Sequence, residues 1–456
     1  MEDKSGDHAA SSNSKKKKLL TTGLINISFI CLGIADSVFG PTLLDIKDIY
    51  QTKIKVISLV VLLRAIGSVI GASLVGILLD KYPKFRYFFL FGSNFVLGVC
   101  TSVLPHLKYL WLFFAVSVVS SFSSGSLDTG GNVLCLDVWK DGDAGPYMHS
   151  IHFSFAIGAF LAPVIAIPFL DKVPETELLK ETLNETLEAH GDDSVETKIT
   201  YLYPLIGICV VLCSLGYLIF GITEQKVYKK SEKSNKDIKN ENENPKLTKY
   251  QWALIFLMIL FFFFYVGCEV TFGLYLATFA VESNLKLTKQ VGAQITALFW
   301  GTFASMRFVS IFAAIYLKPI YIMFFSCLLS SIGSVALAIY GDKSEKVLWI
   351  GSGLLGIGMA SIYATGVLWL KSYLKITNRI GAALSIGSSI GADVFPVIGG
   401  QLIEKYPMTF MYLTAITMVS CSVMFLLAIF IGNKIVVIDE NKDVKNVVEN
   451  VELMAK

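Results

Sequence analysis

Residues 252–280 read WALIFLMILFFFFYVGCEVTFGLYLATFA, and Glu269 is the single charged residue in this stretch. A bilayer core of roughly 30 Å takes about 20 apolar residues as a helix, so the stretch predicts a membrane-spanning helix. Twelve such stretches run from about Leu19 to Ile431 and fall into two groups of six. This layout indicates a polytopic membrane protein, and the two halves of six suggest a transporter.

The expected architecture is all-α, with twelve transmembrane helices in two pseudo-twofold-related halves. We expect spans at 20–44, 56–79, 87–104, 109–136, 147–170, 201–222, 250–280, 290–316, 319–340, 347–370, 380–402 and 409–432. The organisation that follows is an N-terminal tail (1–19), a first half (20–222), a linker (223–249), a second half (250–432) and a C-terminal tail (433–456).

The composition excludes several classes of protein. Hydrophobic residues make up 54% of the chain and charged residues 16%, below the roughly 25% charged residues of soluble domains. All eight cysteines lie in or beside apolar stretches, so no disulfide framework is expected. The net charge of +3 implies no nucleic-acid partner. No nucleophile–base set, nucleotide loop or metal spacing stands out, so we expect neither an enzyme nor a cofactor.

The distribution of basic residues predicts the orientation. With the N-terminus in the cytoplasm, 25 of the 39 lysines and arginines lie inside and 12 lie outside. Cytoplasmic loops carry the excess of positive charge, so both termini are expected in the cytoplasm. The opposite face then carries Asn184-Glu185-Thr186, an acceptor sequence for N-glycosylation, and we expect Asn184 to be modified.

The loop after the second span reads GILLDKYPKFR, residues 76–86. Gly76 permits close helix packing, and Asp80 can pair with bases or a helix N-terminus on a neighbouring helix. With the basic cluster of Lys81, Lys84 and Arg86, the loop resembles the signature of the major facilitator superfamily. The resemblance implies contacts that form in one access state and break in the other. The alternative is an anchor that only orients the helices.

Five further motifs carry a more specific resemblance, and they occur in the expected order along the chain. They are FGPTLLD at 39–45, DTGGN at 128–132, HSIHFSFAIGAFLAP at 149–163, FWGTF at 299–303 and GSSIGAD at 387–393. They resemble the sodium-dependent glucose transporter branch of the superfamily, which belongs to the major facilitator superfamily domain-containing 4 family. This branch implies hexose uptake, with glucose the expected substrate, across the plasma membrane. The chain is more remotely similar to bacterial fucose–proton symporters, whose acids in the first and fourth spans are matched by Asp36 and Asp128.

Ionisable residues at membrane depth are the first candidates for binding. A charge at the bilayer centre costs roughly 3 kcal/mol, so such groups are expected to be paired or to face water. Two bases can neutralise two of the four acids, which leaves two acids to bind a cation or to titrate. The six residues are Asp36, Arg64, Asp128, Glu269, Arg307 and Asp393.

Asp36 is the leading candidate, because Gly33 and Gly40-Pro41 weaken the helix around it. Carbonyls freed there could share a cation with the carboxylate; the alternative is a structural ion pair. Asp128 and Asn132 lie one turn apart on one helix face, where they could hold sugar hydroxyls or join helices.

The remaining charges leave more alternatives open. Glu269 could bind ligand or seal a gate, and Asp393 could bind, cap or pair. Arg64 and Arg307 are expected to be structural or gating charges.

Polar and aromatic side chains on later spans are candidates for sugar contact. Amides and flat aromatic faces suit a sugar, although membrane aromatics more often pack or anchor. His152 could donate to a sugar or titrate, or be a satisfied core histidine. The candidates are His152, Gln294, Trp300, Tyr363 and Trp369.

The leading hypothesis is a monomeric carrier in the lipid bilayer that moves a hexose by sodium symport or uniport. Alternating access would rock the two halves about a central site, with sodium as the coupling ion. One alternative keeps the class and changes the cargo to urea, a polyol or an organic anion, the last suggested by Arg64 and Arg307. Another is a non-transporting sensor or scaffold that signals through the linker.

Overall fold

The computed structural model describes residues 3–140, 144–170, 197–228, 247–374 and 376–454. Within these residues the regular structure is helical, and twelve helices are long and apolar enough to cross a membrane. The predicted fold class is therefore confirmed. Asn184 and linker residues 229–246 lie outside the described residues, so the proposed modification and the middle of the linker stay predictions.

Each half contributes six spans, numbered here in chain order. The first half consists of Asp3–Ser37, Ile54–Ile57 continued by Leu59–Lys81, Arg86–Val103, Leu110–Val138, Gly145–Ala166 and Ile199–Tyr228. The second half consists of Lys249–Glu282, Lys289–Tyr316, Pro319–Tyr340, Glu345–Met359 continued by Ile362–Leu370, Asn378–Leu402 and Met408–Met454. We call the face where the first span begins and the twelfth ends the tail face, and the opposite one the far face.

The first helix ends earlier than the sequence indicates. It stops at Ser37, and residues 38–42 form turns before the short helix Leu43–Ile49 begins. Gly40 brings the first span against the seventh, since a Cβ there would lie 2.9 Å from the carbonyl oxygen of Gly273. Pro41 follows at once and lacks the N–H that helical bonding requires. The break therefore falls just after Asp36, where the sequence predicts a weakened helix.

The packing of the spans repeats between the halves. The first span packs on the fifth as the seventh packs on the eleventh, and the second packs on the fourth as the eighth packs on the tenth. The third and sixth spans pair in the same way as the ninth and twelfth. Because each pairing recurs six spans later and equivalent spans run in the same direction, the two halves share one topology, as expected of a parallel repeat.

A sequence repeat accompanies this symmetry. Residues 157–165 read IGAFLAPVI in the fifth span, and residues 390–398 read IGADVFPVI in the eleventh. A Cβ on the glycine of either copy would collide with a carbonyl of the partner helix, Ile30 for Gly158 and Phe263 for Gly391. The repeat therefore marks the same close helix crossing in both halves. Phe160 in the first copy corresponds to Asp393 in the second.

The two halves meet along two seams. One joins the fifth and eighth spans and the other joins the second and eleventh. Polar contacts close the far face, where Lys289 contacts Asp45 at 3.3 Å and Asp48 at 3.0 Å. Gln290 donates to the carbonyl oxygens of Ile167 and Leu170, and Gln401 donates to the carbonyl oxygen of Lys55 and the hydroxyl of Ser58. We call Lys289, Asp45, Asp48, Gln290 and Gln401 the far-face latch.

Candidate functional site

A cavity of about 290 Å³ lies between the halves, close to the lower limit of about 300 Å³ for small-molecule sites. Seven spans line it, four from the first half and three from the second. Its polar and aromatic lining includes Asp36, Arg64, Ser121, Ser124, Glu269, Trp300 and Asp393. The structure thus brings together five of the residues that the sequence singles out, from spans far apart along the chain.

One wall of the cavity is a closed polar network around Asp36. Arg64 Nη2 donates to Asp36 Oδ1 at 2.8 Å, and Ser124 Oγ donates to Asp36 Oδ2 at 2.7 Å. Arg64 Nε donates to Ser121 Oγ at 2.9 Å, and the guanidinium lies 5.9 Å from the centre of the Phe39 ring. Both carboxylate oxygens are therefore engaged, and the pair is neutral as a unit. Sequence reasoning missed Ser121 and Ser124, although the serine-rich stretch 120–126 could have indicated them.

The facing wall comes from the second half. Trp300 is 8% exposed and lines the cavity. Its ring is held by Phe299 and Phe303, whose centroids lie 5.0 and 5.3 Å away. A side chain at Gly273 would collide with the indole, so this glycine leaves room for the ring. Trp300 is consequently a fixed flat surface.

Glu269 connects the cavity to a break in the tenth span. It interacts electrostatically with Arg307 and lies beside Tyr265. Arg307 Nε donates to the carbonyl oxygen of Ala360 at 3.3 Å, and the Tyr265 hydroxyl donates to that of Met359 at 2.8 Å. These carbonyls lie where the tenth span is interrupted, between the helices ending at Met359 and beginning at Ile362. Arg307 and Tyr265 thus satisfy backbone groups that the interruption frees.

Asp128 and His152 lie outside the cavity lining, yet both side chains are exposed. Asp128 interacts electrostatically with Asp36, and His152 interacts with Arg307 across the boundary between the halves. Asn132 Nδ2 donates to the backbone and carboxylate oxygens of Asp128 at 3.0 and 3.3 Å. These groups are therefore accessible beside the site and outside it.

Three other candidates do not line the cavity. Gln294 is exposed on the eighth span, one turn from Gln290. Tyr363 packs against Phe262 with centroids 4.7 Å apart, and Trp369 is 2% exposed in the core of the second half. Both aromatics of the tenth span are thus packing residues in this structure.

The loop at 76–86 makes a different ion pair from the one that the sequence suggests. Arg86 Nη1 contacts Asp137 Oδ2 at 3.1 Å, which ties the third span to the end of the fourth. Asp80 is exposed and has no ion pair with the part of the chain that is described. Gly76 lies against Thr129 at ordinary contact distance, and Lys81 lies over the Tyr82 ring. Lys84 is exposed on the tail face.

Known proteins resemble this chain over most of its length. The family model described as Major Facilitator Superfamily matches residues 25–342. The sodium-dependent glucose transporter 1A of Mus musculus is 33% identical over 83% of this chain and 89% of its own length. The sodium-dependent glucose transporter 1 of Homo sapiens is 33% identical over 83% of this chain and 73% of its own length.

A solved structure agrees with the fold. The fucose:proton symporter of E. coli superposes with a TM-score of 0.57 over 91% of this chain and 99% of its own, at 16% identity. At that identity the likeness concerns the fold alone.

Proposed function

The chain belongs to the Major Facilitator Superfamily and is a transporter, and from that premise we propose that its cargo is a hexose, with glucose the first candidate. The observation that carries this proposal is the cavity between the halves, where a neutral polar network faces a fixed indole. A sugar offers hydroxyl groups that donate and accept hydrogen bonds, and its ring offers an apolar face. The two walls match these two properties.

The polar wall can accept hydrogen bonds from sugar hydroxyls and donate hydrogen bonds to them. The carboxylate oxygens of Asp36 accept hydrogen bonds, and the guanidinium of Arg64 donates them. Ser121 and Ser124 can do both. These groups already bond to one another, so a cargo is selected by how many further hydrogen bonds its hydroxyls make with them. Trp300 supports selectivity by accepting a flat ring face on the opposite side.

The pairing of Arg64 weighs against an organic anion as cargo. Its guanidinium already donates to Asp36 and Ser121, so an anion would have to displace a carboxylate at 2.8 Å. Asp393, which lines the cavity without an ion pair among the described residues, would repel an anion. A neutral polyhydroxyl cargo meets neither obstacle.

Alternating access provides the mechanism. The far-face latch closes one route to the cavity. With both termini in the cytoplasm of a plasma-membrane protein, as the basic residues suggest, this arrangement is closed toward the outside. Rocking the halves would break the latch and expose the same cavity to the other side. One chain supplies the whole cavity, so a monomer suffices.

We further propose sodium as the coupling ion, in line with the names of the similar mouse and human proteins. The test is uptake of labelled glucose into proteoliposomes, with and without an inward sodium gradient. Accumulation above equilibrium with sodium supports symport, whereas sodium-independent equilibration supports a uniporter. Absence of flux for glucose and for a panel of hexoses would contradict the assignment of the cargo. Trp300→Ala removes the aromatic wall and should reduce flux, measured on protein whose size-exclusion profile matches that of the wild type.

A further inference from the structure

The repeat shared by the fifth and eleventh spans places different residues at equivalent positions in the two seams. In the fifth span, Phe160 packs into the groove at Gly301 of the eighth span, with ring atoms 3.1 Å from where a Cβ would lie. In the eleventh span the equivalent residue is Asp393, which lines the cavity together with Val61 and Ala65 of the second span. One seam is thus sealed by an apolar ring where the other carries a carboxylate.

Asp393 differs from the other cavity carboxylates in its surroundings. Asp36 is bonded to Arg64 and Ser124, and Glu269 interacts with Arg307. Among the described residues, Asp393 has neither a hydrogen-bonding partner for its side chain nor an ion pair. Arg64 lines the same cavity, but its guanidinium donates to Asp36 and Ser121.

A charge at this depth is expected to be paired or to face water, and Asp393 lines the cavity without a pair among the described residues. An isolated carboxylate at the bilayer centre costs roughly 3 kcal/mol, and the repeat offers an apolar residue at the same position in the other half. Cation transport explains why a carboxylate replaces it. A cation that enters the cavity neutralises Asp393 beside the cargo and leaves with that cargo when the access changes.

We propose that Asp393 is the carboxylate that binds the monovalent cation coupled to transport, sodium or a proton. The proposal rests on the proposed function, because it assigns the coupling to one residue of the same cavity. It also separates the roles of the acids. Asp36 belongs to the cargo-binding wall, Glu269 belongs to the network at the tenth span, and Asp393 carries the cation.

The first measurement needs no sugar, so it tests Asp393 even where the cargo is misassigned. Binding of radioactive sodium to the purified full-length protein is compared for the wild type, Asp393→Asn and Asp342→Asn. Asp342 lies on the far face and accepts a hydrogen bond from Asn284, so it undergoes the same chemical change outside the cavity. We expect Asp393→Asn to weaken sodium binding at least about tenfold, or 1.4 kcal/mol, while Asp342→Asn binds as the wild type does. Unchanged sodium affinity in Asp393→Asn, in a wild type that binds sodium, overturns the proposal.

The second measurement identifies the cation and separates coupling from cargo binding. Proteoliposomes are given either a sodium gradient at constant pH or a pH gradient without sodium. The gradient that drives accumulation in the wild type should fail in Asp393→Asn, while counterflow exchange of labelled for unlabelled sugar continues. Accumulation of sugar that survives in Asp393→Asn overturns the proposal. The proposal is also overturned if the wild type binds no sodium and neither gradient drives sugar accumulation in it. Where Asp393→Asn does not fold, Asp393→Glu keeps the charge, and its driven uptake must show an altered cation KM.

Discussion

Replacement of Lys289 by Met should shift the protein from the far-closed toward the far-open state. The Lys289 side chain is 8% exposed and that of Asp45 is 2% exposed, so this part of the far-face latch is shielded from water. Removing one partner of a buried ion pair costs about 3–5 kcal/mol, and here Asp48 keeps a contact with Lys47 at 3.4 Å. The Asp48 side chain is 26% exposed, so we reduce the expected cost to about 2–3 kcal/mol.

This cost acts on one state alone. When the far face opens, Asp45 and Asp48 reach water and no longer need Lys289. The substitution therefore raises the free energy of the far-closed state relative to the far-open state. At 1.4 kcal/mol per tenfold, the ratio of far-open to far-closed molecules should rise roughly 30- to 140-fold.

The assay measures distances between spin labels on the far face. Lys53 in the first half and Lys346 in the second are both exposed and accept labels as cysteines, once the exposed Cys209 is replaced by serine. Lys289→Met should add or enlarge a population at longer distance. Lys286→Met is the control, because Lys286 is exposed three residues earlier in the same loop. An unchanged distance distribution in a folded Lys289→Met protein would refute the role of the far-face latch.

Three other substitutions test the cavity and the helix packing. Asp36→Asn leaves Arg64 without its carboxylate and should reduce hexose uptake at least about tenfold. The double variant Asp36→Asn with Arg64→Met should have a higher melting temperature than Arg64→Met alone. Equal melting temperatures would count against the ion pair. Trp300→Ala should raise the KM for sugar more than Trp300→Phe does, and identical KM values in uptake assays would exclude an aromatic contact. Gly33→Leu should lower the yield of folded protein in size-exclusion chromatography, because its side chain would collide with the Phe155 carbonyl, and a normal elution profile would contradict this crossing.

The fold could be predicted from the sequence because span length and hydropathy depend on local composition. The break after Asp36 was also predictable from Gly40-Pro41. The partner of Asp36 could not be predicted. Counting charges shows that the intramembrane acids need bases, but it does not show which base lies close to Asp36. The structure brings Arg64 to Asp36 because the first, second and fourth spans converge there.

The far-face latch could not have been found by reading spans. Lys289 and Asp45 are 244 residues apart and belong to segments at the ends of spans. From the sequence alone, charges at the ends of spans are expected to be solvated. They become buried only because the two halves close over them. The repeat at 157–165 and 390–398, in contrast, is visible in the sequence and could have pointed to the unusual position of Asp393.

The neutral pair of Asp36 and Arg64 has an electrical consequence. A membrane potential acts on net charge, by about 2.3 kcal/mol per elementary charge per 100 mV, so the pair can cross the field without a voltage-dependent cost. With Asp393 as the cation carrier, the loaded cavity is uncharged at that residue and the empty cavity is negative. An inside-negative voltage then repels the empty site from the cytoplasm. The resting potential of the cell would therefore accelerate the return of the unloaded carrier, and the measurable current would arise in that step.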